Sequence, residues 1–169
     1  MIIRKATSSD LVGVAQVHVD SWQTSYRGLI PDRVLDDLSY SIKEKMWQDY
    51  LLHGGINYLH VAEDEGKVVG FVAFGENRRK NKKYQGEISA LYILEGYQRQ
   101  GLGSRLVKSA VQQLKEDGIN SMIIWVLAEN PAVEFYRSLG GEQVEEKILV
   151  IGGTDLDEIA FGWNQLDNF

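Results

Sequence analysis

The segment QRQGLG at residues 98–103 constrains the fold more than any other part of the sequence. An apolar run typical of a β-strand precedes it at residues 88–94, and an amphipathic helix follows from Gly101. The first N–H groups of a helix have no intrahelical partner, and the helix dipole favours an anion there. Because Gly101 and Gly103 carry no Cβ, a ligand can approach the main chain closely. A strand, a glycine-bearing loop and a helix in this order predict a site for a phosphorylated ligand.

Two common nucleotide-binding loops do not fit this segment. A dinucleotide-binding loop needs a third glycine, and Leu106 occupies the position where that glycine would stand. A P-loop ends in Gly-Lys followed by Ser or Thr, and the chain contains no such sequence. The segment alone therefore indicates a phosphate without saying which ligand carries it.

Hydrophobic periodicity predicts an α/β chain that forms a single domain over residues 1–169 around a mixed sheet. The predicted element order is β-α-α-β-β-β-α-β-α-β-β, and the unit at residues 84–127 is expected to be a parallel, right-handed crossover. Strands are predicted at residues 2–6, 57–63, 67–77, 84–94, 121–127, 142–151 and 155–164. Helices are predicted at about residues 11–22, 31–52 with a break near Ser39, 101–117 and 130–140. Two apolar stripes are expected to face the core: Leu11, Val14, Ala15, His18, Val19 and Trp22, and then Leu102, Leu106, Val107, Ala110, Val111 and Leu114.

The composition argues against several classes of protein. With no cysteine, the chain can form no disulfide, thiolate zinc site or cysteine nucleophile, and a cytoplasmic location is expected. Its histidines lack metal-ligand spacing, so no metal is expected. A formal net charge of −6 argues against a nucleic-acid partner and slightly favours a cationic one. No run approaches the ~20 apolar residues that span a bilayer, so no membrane partner is expected.

Two motifs, taken together, carry a resemblance to a known family. The loop at residues 98–103 fits the pattern Gln/Arg-x-x-Gly-x-Gly/Ala, and NPAVEFY at residues 130–136 is a close counterpart of Asn-x-x-Ala/Val-x-x-Phe-Tyr. On these motifs and on its element order, the chain resembles the GNAT superfamily of acetyl-CoA-dependent N-acetyltransferases. The resemblance implies the GNAT fold, acetyl-CoA as cosubstrate, and transfer of the acetyl group to a primary amine on a small molecule or a peptide.

The resemblance also assigns cofactor contacts to three places. The loop and the first helical turn are expected to bind the pyrophosphate, mainly through main-chain N–H groups. The fourth strand is expected to separate from the fifth near Tyr92 and to pair with the pantetheine arm. Asn130 is expected to hold the same arm while it caps a helix. The residues expected to contact the cofactor are Tyr92, Ile93, Leu94, Gln98, Arg99, Gln100, Gly101, Leu102, Gly103, Ser104, Asn130, Ala132, Phe135 and Tyr136.

Two further residues are candidates for the catalytic proton transfers. A phenol with a pKa of about 10 is protonated at neutral pH, so Tyr136 is a candidate general acid for the leaving thiolate; alternatively it only packs with Phe135. Glu87, expected on the same strand face as Ser89 and Leu91, resembles a base in some relatives; alternatively it is an ordinary surface glutamate. Since no activated serine or cysteine is present, direct attack by the amine in a ternary complex is favoured.

The end of the first helix is expected to form a wall of the acceptor pocket. Tyr26 and Arg27 are candidates to face the substrate, whereas Trp22 continues the apolar face of the helix and is also a candidate core residue. The basic run RRKNKK at residues 78–83 is typical of a solvated hairpin tip.

Two other interpretations of the chain stay open at this level. The first is a non-catalytic acetyl-CoA-binding sensor or partner-docking module, which would share the loop but need neither acid nor base. The second is an interaction protein, because the strand at residues 155–164 is a plausible edge for a homodimer.

Overall fold

A computed structural model describes residues 1–52, 57–77 and 83–169 of the chain. The strands are β1 (Ile2–Lys5), β2 (Asn57–Asp64), β3 (Lys67–Glu76), β4 (Gly86–Ile93), β5 (Met122–Leu127), β6 (Glu142–Ile151) and β7 (Thr154–Trp163). The helices are α1 (Leu11–Ser25), α2 (Asp32–Asp36), α3 (Tyr40–Leu52), α4 (Leu102–Glu116) and α5 (Ala132–Ser138).

One mixed sheet holds these seven strands in the order β1-β2-β3-β4-β5-β7-β6. Only β4 and β5 are parallel, with α4 between them in sequence, and every other neighbouring pair is antiparallel. The predicted α/β class, mixed sheet and parallel pair are confirmed. The second helical region is two helices, α2 and α3, so the described chain has one helix more than the predicted order; their separation falls at residues 37–39, next to the predicted break.

The last strand lies inside the sheet. β7 pairs with β5 along one side and with β6 along the other, so it has no free edge. The prediction that residues 155–164 offer an edge to a second copy is therefore wrong, because the hairpin turn at Gly152 and Gly153 places β6 outside β7. The homodimer itself stays a prediction.

Helices cover both faces of the sheet. The predicted stripe of α4 is buried along its whole length on the face that α4 shares with α5. On the opposite face, Val14 and Val17 of α1 pack in one cluster with Trp47 of α3 and Phe71 of β3. The predicted α1 stripe is buried there as well, except that Trp22 is half-buried. The two faces therefore have separate cores, which the sheet divides.

Two histidines are buried in these cores as neutral groups. Trp47 Nε1 donates a hydrogen bond of 3.1 Å to His18 Nδ1, and His60 Nδ1 lies 3.1 Å from Ser109 Oγ. Burial, with a smaller contribution from the charge of Lys43, lowers the pKa of His18 from 6.5 to about 3. Burial likewise lowers the pKa of His60 from 6.5 to about 4. His18 is thus a core histidine rather than a metal ligand in the described part of the chain.

We expect the protein to lose stability as the pH falls from 7 to 5. In the unfolded chain both histidines take up protons near pH 6.5, whereas in the folded chain they stay neutral until about pH 3 and 4. At about 1.4 kcal/mol per pH unit below 6.5 for each group, the free energy of unfolding should fall by roughly 4 kcal/mol at pH 5. Urea denaturation at pH 7, 6 and 5 measures this change. A His18→Gln, His60→Gln double variant should show a flatter profile, and an equal slope in both proteins would contradict the assignment.

Candidate active site

An opening separates β4 from β5 in the middle of the sheet. The two strands pair only from Gly86 to Ile88, opposite Met122 to Ile124. Beyond Ile88, the side of β4 that faces β5 has no ladder partner, although β4 stays paired with β3 as far as Ile93. The predicted separation of the strands at Tyr92 is present and already begins at Ser89. A free strand edge of this kind can pair with an extended ligand.

A β-bulge at Ser89 changes which side chains of β4 point to each face of the sheet. The register with β3 passes from Ala73 opposite Ala90 to Phe74 opposite Ile88, so Ser89 is one residue in excess.

The bulge separates Glu87 from the residues with which it was grouped. Ile88 and Leu91 both pack on the α4 side, whereas Ala90 and Tyr92 pack on the α1 side. Because the side chains of neighbouring strand residues point to opposite faces of the sheet, and Ile88 is on the α4 side, Glu87 lies on the α1 side with Tyr92. The prediction that Glu87 shares a face with Leu91 is therefore wrong, since it assumed unbroken alternation.

The loop between β4 and α4 presents free main-chain donors. Arg99 and Gly101 both have positive φ angles, of 60° and 77°, so the chain turns sharply before the helix. In the described part of the chain the N–H groups of residues 99–101 have no main-chain partner, and the first turn of α4 lacks intrahelical acceptors. Gln98 Nε2 donates to the Ile93 carbonyl and Gln100 Nε2 to the Gly96 carbonyl, each over 3.0 Å. Their side chains therefore hold the loop in shape and leave anion binding to the backbone.

Gly103 and Phe135 connect this loop to α5. A Cβ built on Gly103 would lie 3.1 Å from Phe135 Cζ, so the glycine is what allows the ring to pack against the first turn of α4. Leu102 is buried in the core, so only its backbone can face a ligand, and Ser104 is half-buried beside it. The loop and α5 therefore pack together at Gly103 and Phe135.

Asn130 stands between the end of β5 and α5, on the far side of the opening. Its Oδ1 accepts a hydrogen bond of 2.8 Å from the Ala132 N–H, which caps the helix as predicted. Burial raises the pKa of the Tyr26 phenol, while hydrogen bonds to Tyr92 and Asn130 oppose that shift. Tyr26, from the end of α1, therefore joins β4 to the α5 side across the opening.

Tyr136 is buried below the same opening. Its ring centroid lies 5.3 Å from that of Phe135 and 6.1 Å from that of Phe161. Burial, reinforced by the neighbouring phenol of Tyr26, raises the pKa of Tyr136 well above its ordinary value of 10. The hydroxyl is therefore fully protonated at neutral pH, as a proton donor to a leaving thiolate must be.

Two of the three predicted acceptor residues lie at the opening, and the third does not. The Trp22 ring is half-buried, with centroids 4.9 Å from Tyr26 and 6.5 Å from Tyr92, so it lines the site as well as the core. Arg27 is exposed, and its guanidinium pairs with Asp32 at 3.1 Å and Asp36 at 3.0 Å. Tyr26 and Trp22 thus lie at the opening, whereas Arg27 is directed towards α2.

One carboxylate near the site was missed in the sequence. Glu158 of β7 is buried beside the end of β5, and its negative charge contributes to the raised pKa of Tyr26. Its Oε2 lies 3.1 Å from Lys147 Nζ in an ion pair, and that ammonium lies 3.9 Å from the Trp125 ring centroid. The only signal in the sequence is a charged residue directly before the apolar run IAFGW at residues 159–163.

Comparisons with known proteins assign the chain to a family. The model of the Acetyltransferase (GNAT) family matches residues 10–140. The uncharacterized N-acetyltransferase YuaI of Bacillus subtilis (strain 168) is 39% identical over 165 residues, which are 97% of this chain and 93% of that protein.

Two solved structures share the fold. The ribosomal-protein-alanine N-acetyltransferase from Brucella melitensis has a TM-score of 0.74 at 22% identity, over 96% of this chain and 99% of that one. The acetyltransferase yncA from Salmonella typhimurium, solved with its cofactor acetyl-CoA, has a TM-score of 0.73 at 21% identity. The match covers 99% of this chain and 94% of that one.

The fold and the site define an acyltransferase that uses acetyl-CoA. The chain belongs to the GNAT family of acetyltransferases, and it is an N-acetyltransferase whose cosubstrate is acetyl-CoA. The free N–H groups before α4 and the unpaired edge of β4 suit the phosphates and the extended arm of that molecule.

Other predicted features lie outside this site. Residues 78–82 of the basic run fall outside the described residues, and the Lys83 ammonium lies 5.3 Å from the Tyr84 ring centroid. Within residues 1–52, 57–77 and 83–169, no group of three or more His, Asp or Glu residues could hold a metal ion. In the same ranges no helix is both long and apolar enough to cross a membrane.

Proposed function

We propose that the chain transfers the acetyl group directly from acetyl-CoA to a primary amine in a ternary complex. The backbone of residues 99–104 binds the pyrophosphate, and the free edge of β4 with Asn130 aligns the pantetheine arm. The observation that carries the proposal is the buried, protonated Tyr136 below the opening between β4 and β5. An acid in this position has no role in a sensor that only binds the cofactor.

In this reaction one bond forms and one breaks at the acetyl carbon. The neutral amine nitrogen attacks the carbonyl carbon, and the carbon–sulfur bond breaks. The amine loses one proton to a carboxylate, directly or through water, and Tyr136 donates one to the departing sulfur. The raised pKa of Tyr136 keeps its hydroxyl protonated at neutral pH. Because a free thiolate, with a pKa of about 8.5 in the cysteine model, is the weaker base, the proton is donated as the carbon–sulfur bond breaks and negative charge develops on the sulfur.

Two buried carboxylates on the α1 side are matched candidates for the base. Glu87 and Glu158 are each 9% exposed. We assign the base to Glu87, because it lies on β4, the strand whose edge towards β5 opens at Ser89.

Glu87→Gln should therefore lower kcat/KM for the amine by about 100-fold. Glu158→Gln is the matched control. It should lower kcat/KM by less than about tenfold, because Glu158 is not the residue assigned to accept the proton of the amine. Steady-state rates at saturating acetyl-CoA measure both effects. A reversed order would transfer the role of base to Glu158.

The proposed acceptor is the primary amine of a small molecule or of a peptide. The named acceptor of the Brucella melitensis relative belongs to that protein, and at 22% identity the likeness concerns the fold alone. Release of CoA, followed with a thiol reagent over a panel of amines, tests the reaction. Bound acetyl-CoA without turnover of any amine would contradict it and favour a sensor.

The proposed setting is the cytoplasm. The chain contains no cysteine and so gains nothing from an oxidising compartment, and its net charge of −6 gives it no general attraction to nucleic acid. Gel filtration measures whether the protein is a homodimer, for which β6 rather than β7 offers the sheet edge.

A further inference from the structure

Lys43 is a half-buried cation without an acidic partner among the described residues. It lies on α3, and in the described part of the chain no ion pair joins it to a carboxylate. Asp20, on the facing helix α1, accepts a hydrogen bond of 2.7 Å from the Tyr40 hydroxyl instead. Burial lowers the pKa of Lys43, and no neighbouring carboxylate opposes that shift. A partly desolvated ammonium of this kind favours an anion beside it.

A second unpaired donor lies beside Lys43. His18 is buried, and its Nδ1 accepts the Trp47 N–H, so the ring proton of the neutral imidazole is on Nε2. Among the described residues His18 Nε2 has no hydrogen-bond partner, although it is buried. The charge of Lys43 acts on the same imidazole. Among residues 1–52, 57–77 and 83–169, neither the Lys43 ammonium nor the neighbouring His18 N–H binds a protein oxygen.

This pair of donors is close to the site of acetyl transfer. The Lys43 ammonium lies 5.4 Å from the Trp22 ring centroid, and the Trp22 centroid lies 4.9 Å from that of Tyr26. The His18 imidazole stacks on Tyr92 with centroids 5.0 Å apart. Trp22, Tyr26, Lys43 and Tyr92 are each partly exposed, so a ligand can contact them. One aromatic ring thus separates the unpaired cation from the opening between β4 and β5.

We propose that Lys43 binds an oxyanion of the acceptor, and that the acceptor is a small zwitterion carrying a primary amine and a carboxylate-like group, as an amino acid does. This inference rests on the proposed function, because it takes the opening at Tyr92 and Tyr136 as the place where the amine reacts. Lys43 then neutralises the acceptor's negative end while the amine points towards the acetyl group. The Trp22 ring contacts the apolar part between the two ends. The proposal reverses the preference for a purely cationic acceptor that the net charge alone suggests.

Matched pairs of acceptors test the proposal. Each pair consists of an amino acid and the amine that remains when its carboxylate is removed, for example leucine with 3-methylbutylamine. A third set replaces the carboxylate by a phosphonate, which separates a general oxyanion site from one specific for carboxylates. CoA release gives kcat and KM for each compound. The wild-type protein should favour the anionic member of a pair by tenfold or more in kcat/KM.

Variants of Lys43 then assign the preference to that residue. Lys43→Met keeps most of the apolar stem and should raise KM for the anionic acceptor by tenfold or more. The same variant should leave KM for acetyl-CoA and KM for the decarboxylated amine within about twofold of the wild-type values. Lys43→Arg should retain much of the preference. Lys45→Met, at an exposed position two residues along α3, is the control and should behave as wild type.

The possible results distinguish this inference from the function on which it rests. Equal or better use of the decarboxylated amines by the wild type, or an unchanged preference in Lys43→Met, would overturn the inference and leave amine acetylation standing. Bound acetyl-CoA with no turnover of any compound would overturn the proposed function and the inference together.

Discussion

Replacing Tyr136 by Phe should lower kcat for amine acetylation by at least about 100-fold, the low end of what a general acid contributes. The change removes one buried hydroxyl and keeps the ring that packs against Phe135 and Phe161. Without a donor, the sulfur must leave as an unprotonated thiolate. Because the phenol acts on the leaving group and not on the phosphates, the affinity for acetyl-CoA should stay within about twofold. Stopped-flow or steady-state CoA release measures the first effect, and calorimetric titration measures the second.

Tyr84→Phe is the matched control for this experiment. Tyr84 is also fully buried, and its hydroxyl has no hydrogen-bond partner among the described residues. It lies before β4, at the end of the strand where β4 and β5 are still paired. Tyr84→Phe should therefore leave kcat unchanged and should not reduce stability. Turnover of Tyr136→Phe within threefold of wild type would remove Tyr136 from the chemistry and leave it a packing role.

Gly103→Val should weaken acetyl-CoA binding by tenfold or more. A Cβ at this position would already lie 3.1 Å from Phe135 Cζ and 3.6 Å from Ile93 Cδ1, so valine forces the ring or α4 to move. Either movement displaces the first turn, whose N–H groups are the proposed anion donors. Overpacking of this kind should also reduce the free energy of unfolding by about 1–3 kcal/mol. Titration of acetyl-CoA and urea denaturation measure the two losses.

Gly96→Ala separates the effect of packing from the general effect of losing a glycine near the loop. A Cβ on Gly96 meets no atom within 4 Å, and its φ is not in the positive range. The alanine variant should therefore bind acetyl-CoA as the wild type does. If Gly103→Val also bound normally, the contact with Phe135 would not contribute to the donor site.

The sequence predicts those parts of the molecule that depend on local pattern. The stripe of α4 has a strong period of 3.6 residues, and each of its predicted core positions is buried. The loop at Gly101 and the cap at Asn130 follow from the chemistry of glycine and asparagine in a turn.

Features that depend on partners distant in sequence were not predictable in the same way. The bulge at Ser89 exists only relative to β3, so the alternation of β4 alone could not show that Glu87 and Leu91 face opposite sides. The position of β7 between β5 and β6 is a choice among sheet orders that a hairpin pattern leaves open. The unpaired state of Lys43 depends on where α1 and α3 meet, since the carboxylate of Asp20 is bound by Tyr40 there.

The division of the core into two faces has a consequence for how the protein can change over evolutionary time. The loop proposed to bind the donor, α4 and α5 lie on one side of the sheet, whereas Trp22, Lys43 and the rest of the proposed acceptor wall lie on the other. On the proposed assignment, substitutions in α1 and α3 alter which amine is accepted without disturbing the cofactor. Among the residues described at the opening, Tyr26 and Asn130 link the two sides, and drift in acceptor preference should be most constrained at these two positions.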